Sequence, residues 1–470
     1  MTDDAHSSAA DAHPAAEVAH TPGTDRRSTG APDGERGGSR RAFLSALGAT
    51  TATGGLAALA GCSMVPNDDS EDVSFHASEL PDVDDDPVVA LGATYPMPVP
   101  RSHRRDAQTR ANDALEDVPT PLGARRVPNG HVRQHLADAV TEARDHLDAA
   151  LRAPTPRETL QSLRRARSRA RYASAGWDAI EDGHTVAALE DEATDVTERA
   201  ADARDAMTYV GTDRAPAVVV HASRERLLDA AESVSDDASH EDVRVLRVAE
   251  YAEHVERATA SLADATTIAA RFRDRQPDDA EPLQSPIETA RDSLREDLQS
   301  ALDDLPGEAD ADSVGDADIE NTLTQRVLYE LYYDASDEGP ATSPYGPASA
   351  VLSGVRQLAA IRAYRTVRDR VASGRRYEIT GADTVREAYT ATHEALAAAP
   401  RRSDAPGLAR AALQYTASVV RFADERLAER SGELHAHDVN DSCERYVVHG
   451  AIAEATPEAV DTALAALDAN

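Results

Sequence analysis

Lysine is absent from all 470 residues, so every one of the 49 basic side chains is an arginine. That excludes Schiff-base chemistry, a phosphate-loop lysine and a serine–lysine hydrolase together. Cysteine is nearly absent as well, with Cys62 and Cys443 the only two. Two thiols cannot build a cysteine-rich zinc or iron–sulfur site, and once Cys62 is modified no disulfide can staple the chain. Aromatic residues make up 4% of the sequence, with Trp177 the single tryptophan, so aliphatic side chains and alanine must build the core. Basic charge is also short: 84 acidic residues outnumber the arginines and leave a formal charge of −35. At low salt such a surface repels itself, whereas at molar salt the Debye length falls to about 3 Å and the repulsion is screened. The same charge argues against nucleic acid as a partner.

What is present begins with an address. Ser39-Arg40-Arg41-Ala42-Phe43-Leu44 places an arginine pair ahead of a stretch, residues 42–61, that carries no charge. That stretch grazes the length of a membrane span, yet Gly54, Gly55 and the threonines around them make a poor permanent anchor. Leu59-Ala60-Gly61-Cys62 then offers small residues ahead of a thiol that can take a lipid. From Ser39 to Cys62 the chain resembles the signal of a twin-arginine-exported lipoprotein of a halophilic archaeon; beyond Cys62 it resembles no characterised family. The resemblance implies export as folded cargo, cleavage before Cys62, a membrane lipid as the partner of Cys62, and a place on the outer face of the cytoplasmic membrane. Residues 1–38 form a polar leader expected to be disordered, and residues 39–61 are the signal.

After Cys62, the stretch to residue 100 is acidic and punctuated by prolines, and it reads as a flexible lipid-anchored spacer, with Val88–Leu91 as one short extended segment. From Arg101 the apolar residues recur every three or four positions. Val186, Leu189, Ala193, Val196, Ala200, Ala203, Met207 and Val210 form one seam, and Val248, Tyr251, Val255, Ala258, Leu262, Ala265, Ile268 or Ala269, and Phe272 another. Weaker seams run through 132–151, 160–180, 351–371 and 409–427, with glycine or proline near their ends. The pattern predicts an all-α protein, an antiparallel bundle of long alanine-rich helices. Pro306, Gly307 and Gly315 divide it into two packed halves, 101–305 and 319–470.

Chemistry is sparse. His435, His437, Cys443 and His449, with acids between them, could ligate zinc or copper if residues 433–449 formed a loop with extended backbone. In the alternative, Cys443 is a small buried apolar residue. Asn440-Asp441-Ser442 matches a glycosylation acceptor, which a surface loop would present. His131 and His135 stand one helical turn apart with Asp138 and Glu142 beyond them, and a solvated face accounts for that row. Tyrosines concentrate between 329 and 446 and either fill the later half's core or, with Arg356, Arg362 and Arg365, line a pocket for a carboxylate or aromatic solute. No catalytic constellation and no cofactor motif stands out, so the expectation leans away from an enzyme. The first expectation is an envelope scaffold that contacts other surface proteins; the second is a small-ligand or metal-binding lipoprotein.

Overall fold

The computed structural model describes residues 73–83, 95–234, 242–307, 310, 312–314, 318–336 and 345–469. The leader, the segment with Arg40 and Arg41, the lipidation candidate Cys62 and the stretch Val88–Leu91 lie outside the described residues. Thirteen α-helices and one two-stranded sheet are found among the described residues, which is the all-α architecture that the seams predict. None of these helices is long and apolar enough to cross a membrane.

The first six helices are α1 (Arg101–Glu116), α2 (Gly130–Arg152), α3 (Pro156–Glu181), α4 (Glu190–Asp205), α5 (Arg214–Glu232) and α6 (Arg244–Arg273). Local chemistry sets their starts. Asn129 Oδ1 accepts from the amide of His131 at 3.0 Å, and Thr155 Oγ1 accepts from that of Glu158 at 3.2 Å just ahead of Pro156. Only residues 153–155 separate α2 from α3, so the two pack antiparallel along their length. Gly176 permits the close crossing of α3 with α2 and α6, because a Cβ there would stand 2.5 Å from Leu136 Cδ2 and 3.3 Å from Ala249 Cβ.

The remaining elements are α7 (Gln284–Asp303), α8 (Leu323–Ser336), α9 (Pro347–Ala372), α10 (Ala382–Arg402), α11 (Pro406–Ala412), α12 (Gln414–Ala428) and α13 (Ala436–Asp468). α9 and α13 are the central pair, with α7, α8, α10 and α12 around them. α5 packs on α9 and α11 and so joins the two sets of helices. Glu225 of α5, itself buried, caps α9 directly: its carboxylate accepts from the amides of Ala348 at 3.0 Å and Ser349 at 2.6 Å, at the positive end of the helix dipole.

Three local expectations are corrected. The seam through Met207 and Val210 does not stay helical; α4 ends at Asp205, and Tyr209–Gly211 pair by backbone with Glu281–Leu283, the amide of Leu283 donating to Tyr209 at 2.7 Å and that of Gly211 to Glu281 at 3.3 Å. The seam 409–427 breaks at Leu413 into α11 and α12. The spacer is not free throughout. Residues Ser74–His76 form β1, antiparallel to β2 (Glu433–His435), with Phe75 opposite Leu434. Phe75, Leu80, Tyr95 and Met97 are all buried, and each large apolar side chain removed from water contributes roughly 1.5–3 kcal/mol, which outweighs the polar character of the segment.

The core is not uniform. One large apolar cluster takes in α5, the C-terminal half of α6 and all of α7–α13, while a second joins α1, α2, α3 and the N-terminal half of α6. Where α3 and α6 pass from one cluster to the other, charges replace methyl groups. Glu256 accepts from Arg167 Nε at 2.6 Å and from Arg110 Nη2 at 2.6 Å, Asp264 binds Arg164 and His103, and Glu253 accepts from Arg169 at 2.9 Å. Trp177 lies in the second cluster under the Arg126 guanidinium.

Candidate functional site

α9 runs out at Ala372, and the chain turns through Gly374, at φ 99°, before α10 begins. The turn exposes a row that helix packing would otherwise cover: Arg375, Arg376, Tyr377 and Glu378. Together with the last turns of α9, the outer face of α10 and the middle of α13 it encloses a cleft of about 1080 Å³. Thr324 on α8 fixes the turn from beneath, its hydroxyl accepting from the Tyr377 amide at 2.8 Å and donating to the Tyr377 carbonyl at 3.1 Å.

The floor is apolar, made by Leu323, Ala388, Cys443, Val447 and Ala451. It is narrow because α10 and α13 meet at Gly450, where a Cβ would come within 2.8 Å of Thr392 Oγ1; that hydroxyl donates to the Tyr446 carbonyl at 2.6 Å. Tyr446 closes the inner wall. Its hydroxyl donates to Asp424 Oδ1 at 2.8 Å, and burial plus that carboxylate push its pKa far above the ordinary phenol value. Burial likewise pushes the Cys443 thiol up to about 12, with Glu444 adding to the effect, so the sulfur faces the cleft as a neutral group.

The rim carries the charge. Arg370 meets Glu454 at 3.1 Å, Arg376 donates to the carbonyl of Val371 at 3.1 Å, and the Arg375 guanidinium lies 5.6 Å from the Tyr377 ring centre. Asp369, Glu378 and Glu387 complete the rim. Arg370 is taken by Glu454, so the guanidinium groups of Arg375 and Arg376, beside the Tyr377 ring and over the apolar floor, are the ones that can meet the carboxylate of a small solute with a hydrocarbon or aromatic body.

The four candidate metal ligands are not gathered. The region expected as a loop is instead β2 followed by α13, which starts where the Asp438 carboxylate accepts from the His435 amide at 2.9 Å. His435 and His437 stack at 5.5 Å, His437 facing solvent. Cys443 and His449 lie inside the helix pack, nearly two and more than three turns beyond His437, and burial pushes His449 down to about 3 so that it stays neutral. Among the described residues no three His, Cys, Asp or Glu side chains are placed to share a metal ion. Asn440 sits in α13 and not in a loop; Ser442 is buried and donates to the Ala423 carbonyl at 3.3 Å, while Asp441 is paired with Arg326 at 2.6 Å.

His131 and His135 touch edge to face at 4.4 Å near the start of α2, and Glu142 further along is paired with Arg169 at 2.6 Å. The arginines suggested beside the tyrosines go separate ways: Arg356 to the end of α11, Arg362 to Thr462, Arg365 to the Ala301 carbonyl. Tyr364 and Tyr446 fill the core, and Tyr329 and Tyr333 are exposed. Arg370, Arg375, Arg376 and Tyr377, the residues that do converge, were missed. The signal available was an Arg-Arg-Tyr run set between the helix stops Gly374 and Gly381.

Residues 102–279 match the family model of a domain of unknown function (DUF8262), and residues 284–465 match that of a second (DUF8264). The two models meet ahead of α7, whereas the expected division at 305–318 follows it. Packing accounts for the difference, since α7 lies against α9 and α13. No curated protein and no solved structure matches the chain.

Proposed function

We propose that this chain is a lipid-anchored protein on the outer face of the membrane that holds a small carboxylate-bearing solute in the cleft between α9, α10 and α13. One observation carries the reading: a cavity of about 1080 Å³ with an apolar floor and, on a rim that also holds Asp369, Glu378, Glu387 and Glu454, the guanidinium groups of Arg375 and Arg376 beside Tyr377. The groups beside it favour holding over reacting, because the one thiol is neutral and the Tyr446 hydroxyl is committed to Asp424. The anchor rests on Arg40, Arg41 and the run ending at Cys62.

The test is purification of the full chain from its native membrane at high salt, followed by native mass measurement and solvent extraction. A bound carboxylate should be recovered from the wild type and lost from Ala388→Trp, which fills the cleft. A wild-type protein that carries no solute, and takes up none from a panel of aromatic and aliphatic carboxylates, would remove the reading. Lipid labelling that persists in Cys62→Ala would overturn the anchor. A scaffold role is the second reading, favoured by Tyr415 and Phe422, which stand exposed two turns apart on α12. Crosslinking from these positions to other envelope proteins, with an empty cleft, would make it the better one.

A further inference from the structure

We propose that the solute of the cleft between α9, α10 and α13 is a zwitterion, carrying a protonated amine beside its carboxylate on an apolar body, as an apolar amino acid or a short apolar peptide does. This rests on the cleft holding a carboxylate-bearing solute at all, and it follows from the remaining charges of the rim.

Arg370 and Glu454 neutralise each other at 3.1 Å. What remains is Arg375 and Arg376 on the turn after α9, against Asp369 in the last turn of α9, Glu378 on the turn and Glu387 in the second turn of α10. All three carboxylates stand exposed on the rim, and none meets a cation among the described residues. Arg386, the cation next to Glu387 in the chain, is bound to Asp383 and to the Glu79 carbonyl. Arg375 meets no carboxylate among the described residues and lies against the Tyr377 ring at 5.6 Å. Arg376 uses Nη1 on the carbonyls of Val371 and Arg375, at 3.1 Å and 2.9 Å, which leaves Nε and Nη2.

Neutral groups of the lining are committed elsewhere. Ser373 donates to the Asp369 carbonyl at 2.8 Å, the Thr384 hydroxyl is bonded to that of Thr380 at 2.9 Å, and Thr392 donates to the Tyr446 carbonyl at 2.6 Å. Charge therefore decides what else the cleft accepts. A solute with a carboxylate alone brings a further negative charge to a rim where three carboxylates already face two guanidinium groups, and repulsion from the acids offsets part of what the arginines supply. A protonated amine on the same solute reverses the sign of those contacts, because each becomes a charge-assisted hydrogen bond from N–H to carboxylate.

The two ends of such a solute have different partners. Its carboxylate meets the guanidinium groups of the turn, its ammonium the acids spread over α9, the turn and α10, and its apolar body the floor made by Ala388, Val447 and Ala451. A volume of about 1080 Å³ admits a dipeptide as well as a single residue. At molar salt charges act over only about 3 Å, so the discrimination lies in direct contacts inside the cleft and survives where salt screens the outer surface.

The experiment is calorimetric titration of the full-length protein in molar potassium chloride at neutral pH. The probes are phenylalanine and phenylalanyl-phenylalanine, each beside the deamino compound that keeps its rings and its carboxylate. At least one zwitterion is expected to bind roughly tenfold or more tightly than its deamino partner, and the tighter zwitterion gives the size of the solute. In a variant carrying Asp369→Asn, Glu378→Gln and Glu387→Gln that margin should vanish, with the deamino compound bound as well as by the wild type or better. The three exposed carboxylates hold no internal ion pair, so the variant should fold; circular dichroism checks this. Arg375→Gln should instead weaken zwitterion and deamino compound alike. Deamino compounds that bind the wild type as tightly as the zwitterions, or a margin that survives in the folded triple variant, would overturn the proposal and leave a carboxylate-binding cleft standing. A wild type that binds none of the four compounds removes both.

Discussion

The helices α1–α6 and α7–α13 solve the same problem with different materials. In the first set, α1, α3 and α6 are held in register by arginine–carboxylate contacts that lie between two apolar clusters, with Glu256, Asp264 and Arg167 all buried. In the second set, α9 and α13 pack through one continuous apolar cluster, and polar groups gather at its edge around Tyr446 and the cleft. Buried ion pairs are a poor source of net stability but penalise a helix that slides, because a one-turn shift strands every charge. An apolar seam of alanines tolerates small shifts and leaves space, and the space is where the cleft forms. The difference teaches that rigidity and capacity to bind sit in different parts of one chain.

The strongest way to break that comparison is Glu256→Ala. It would leave Arg167 buried without a partner and Arg110 half-paired, for a loss of about 3–5 kcal/mol in denaturant unfolding. Because the pair is shielded from solvent, the loss should persist at molar salt. A loss below about 1 kcal/mol would mean that the charge layer is solvated and does not set the register.

Acid should act on both halves through one histidine each. Burial pushes His221, between Tyr209 and Phe272, down to about 4, and Arg224 and Arg273 reinforce this against the Val210 backbone bond; His449 falls to about 3. Their unfolded values stand near 6.5, so below that pH the unfolded chain binds the more protons and stability falls as pH falls. His221 contributes down to about pH 4 and His449 to about pH 3, each at up to roughly 1.4 kcal/mol per pH unit. Unfolding free energy against pH for His221→Gln and His449→Gln would measure each share. A slope unchanged in both would show that neither ring is held neutral.

The polar edge of the second set should be weaker than the charge layer of the first. Tyr446→Phe removes the donor to Asp424 but leaves that carboxylate facing His393 at 3.3 Å, for a loss of about 1–2 kcal/mol. A loss as large as that for Glu256→Ala would erase the contrast between the two sets.

How much of this could be read beforehand follows from how each feature is encoded. Helices α2, α3, α6 and α9 carry their apolar residues at regular spacing with caps and stops beside them, so their existence and near-boundaries were legible. Tyr209–Gly211 and Glu281–Leu283 were not, because backbone hydrogen bonds between distant segments leave no side-chain pattern. β1 was hidden for a related reason: the strand is only three residues long, and the worth of Phe75 depends on Leu434, some 360 positions away. The cleft is a meeting of α9, α10 and α13, and only its Arg-Arg-Tyr turn is contiguous. The histidine cluster failed in the opposite sense, close in sequence but spread along a helix by its 3.6-residue turn.

The smallest effect belongs to the surface and sharpens the contrast with the interior. Asp195 and Arg199 pair at 3.2 Å one turn apart on α4, both well exposed. Such a pair contributes about 0.3–0.5 kcal/mol at low ionic strength and less where salt screens it. Asp195→Asn also removes one of 84 acids from a chain of net charge −35, which relieves repulsion. The two effects oppose each other, so unfolding free energy should change by less than about 0.5 kcal/mol at either salt concentration. With Glu256→Ala measured alongside, the ratio of the two losses separates charge that fixes helix register from charge that keeps an acidic surface apart, and a ratio near one would show that no such division exists.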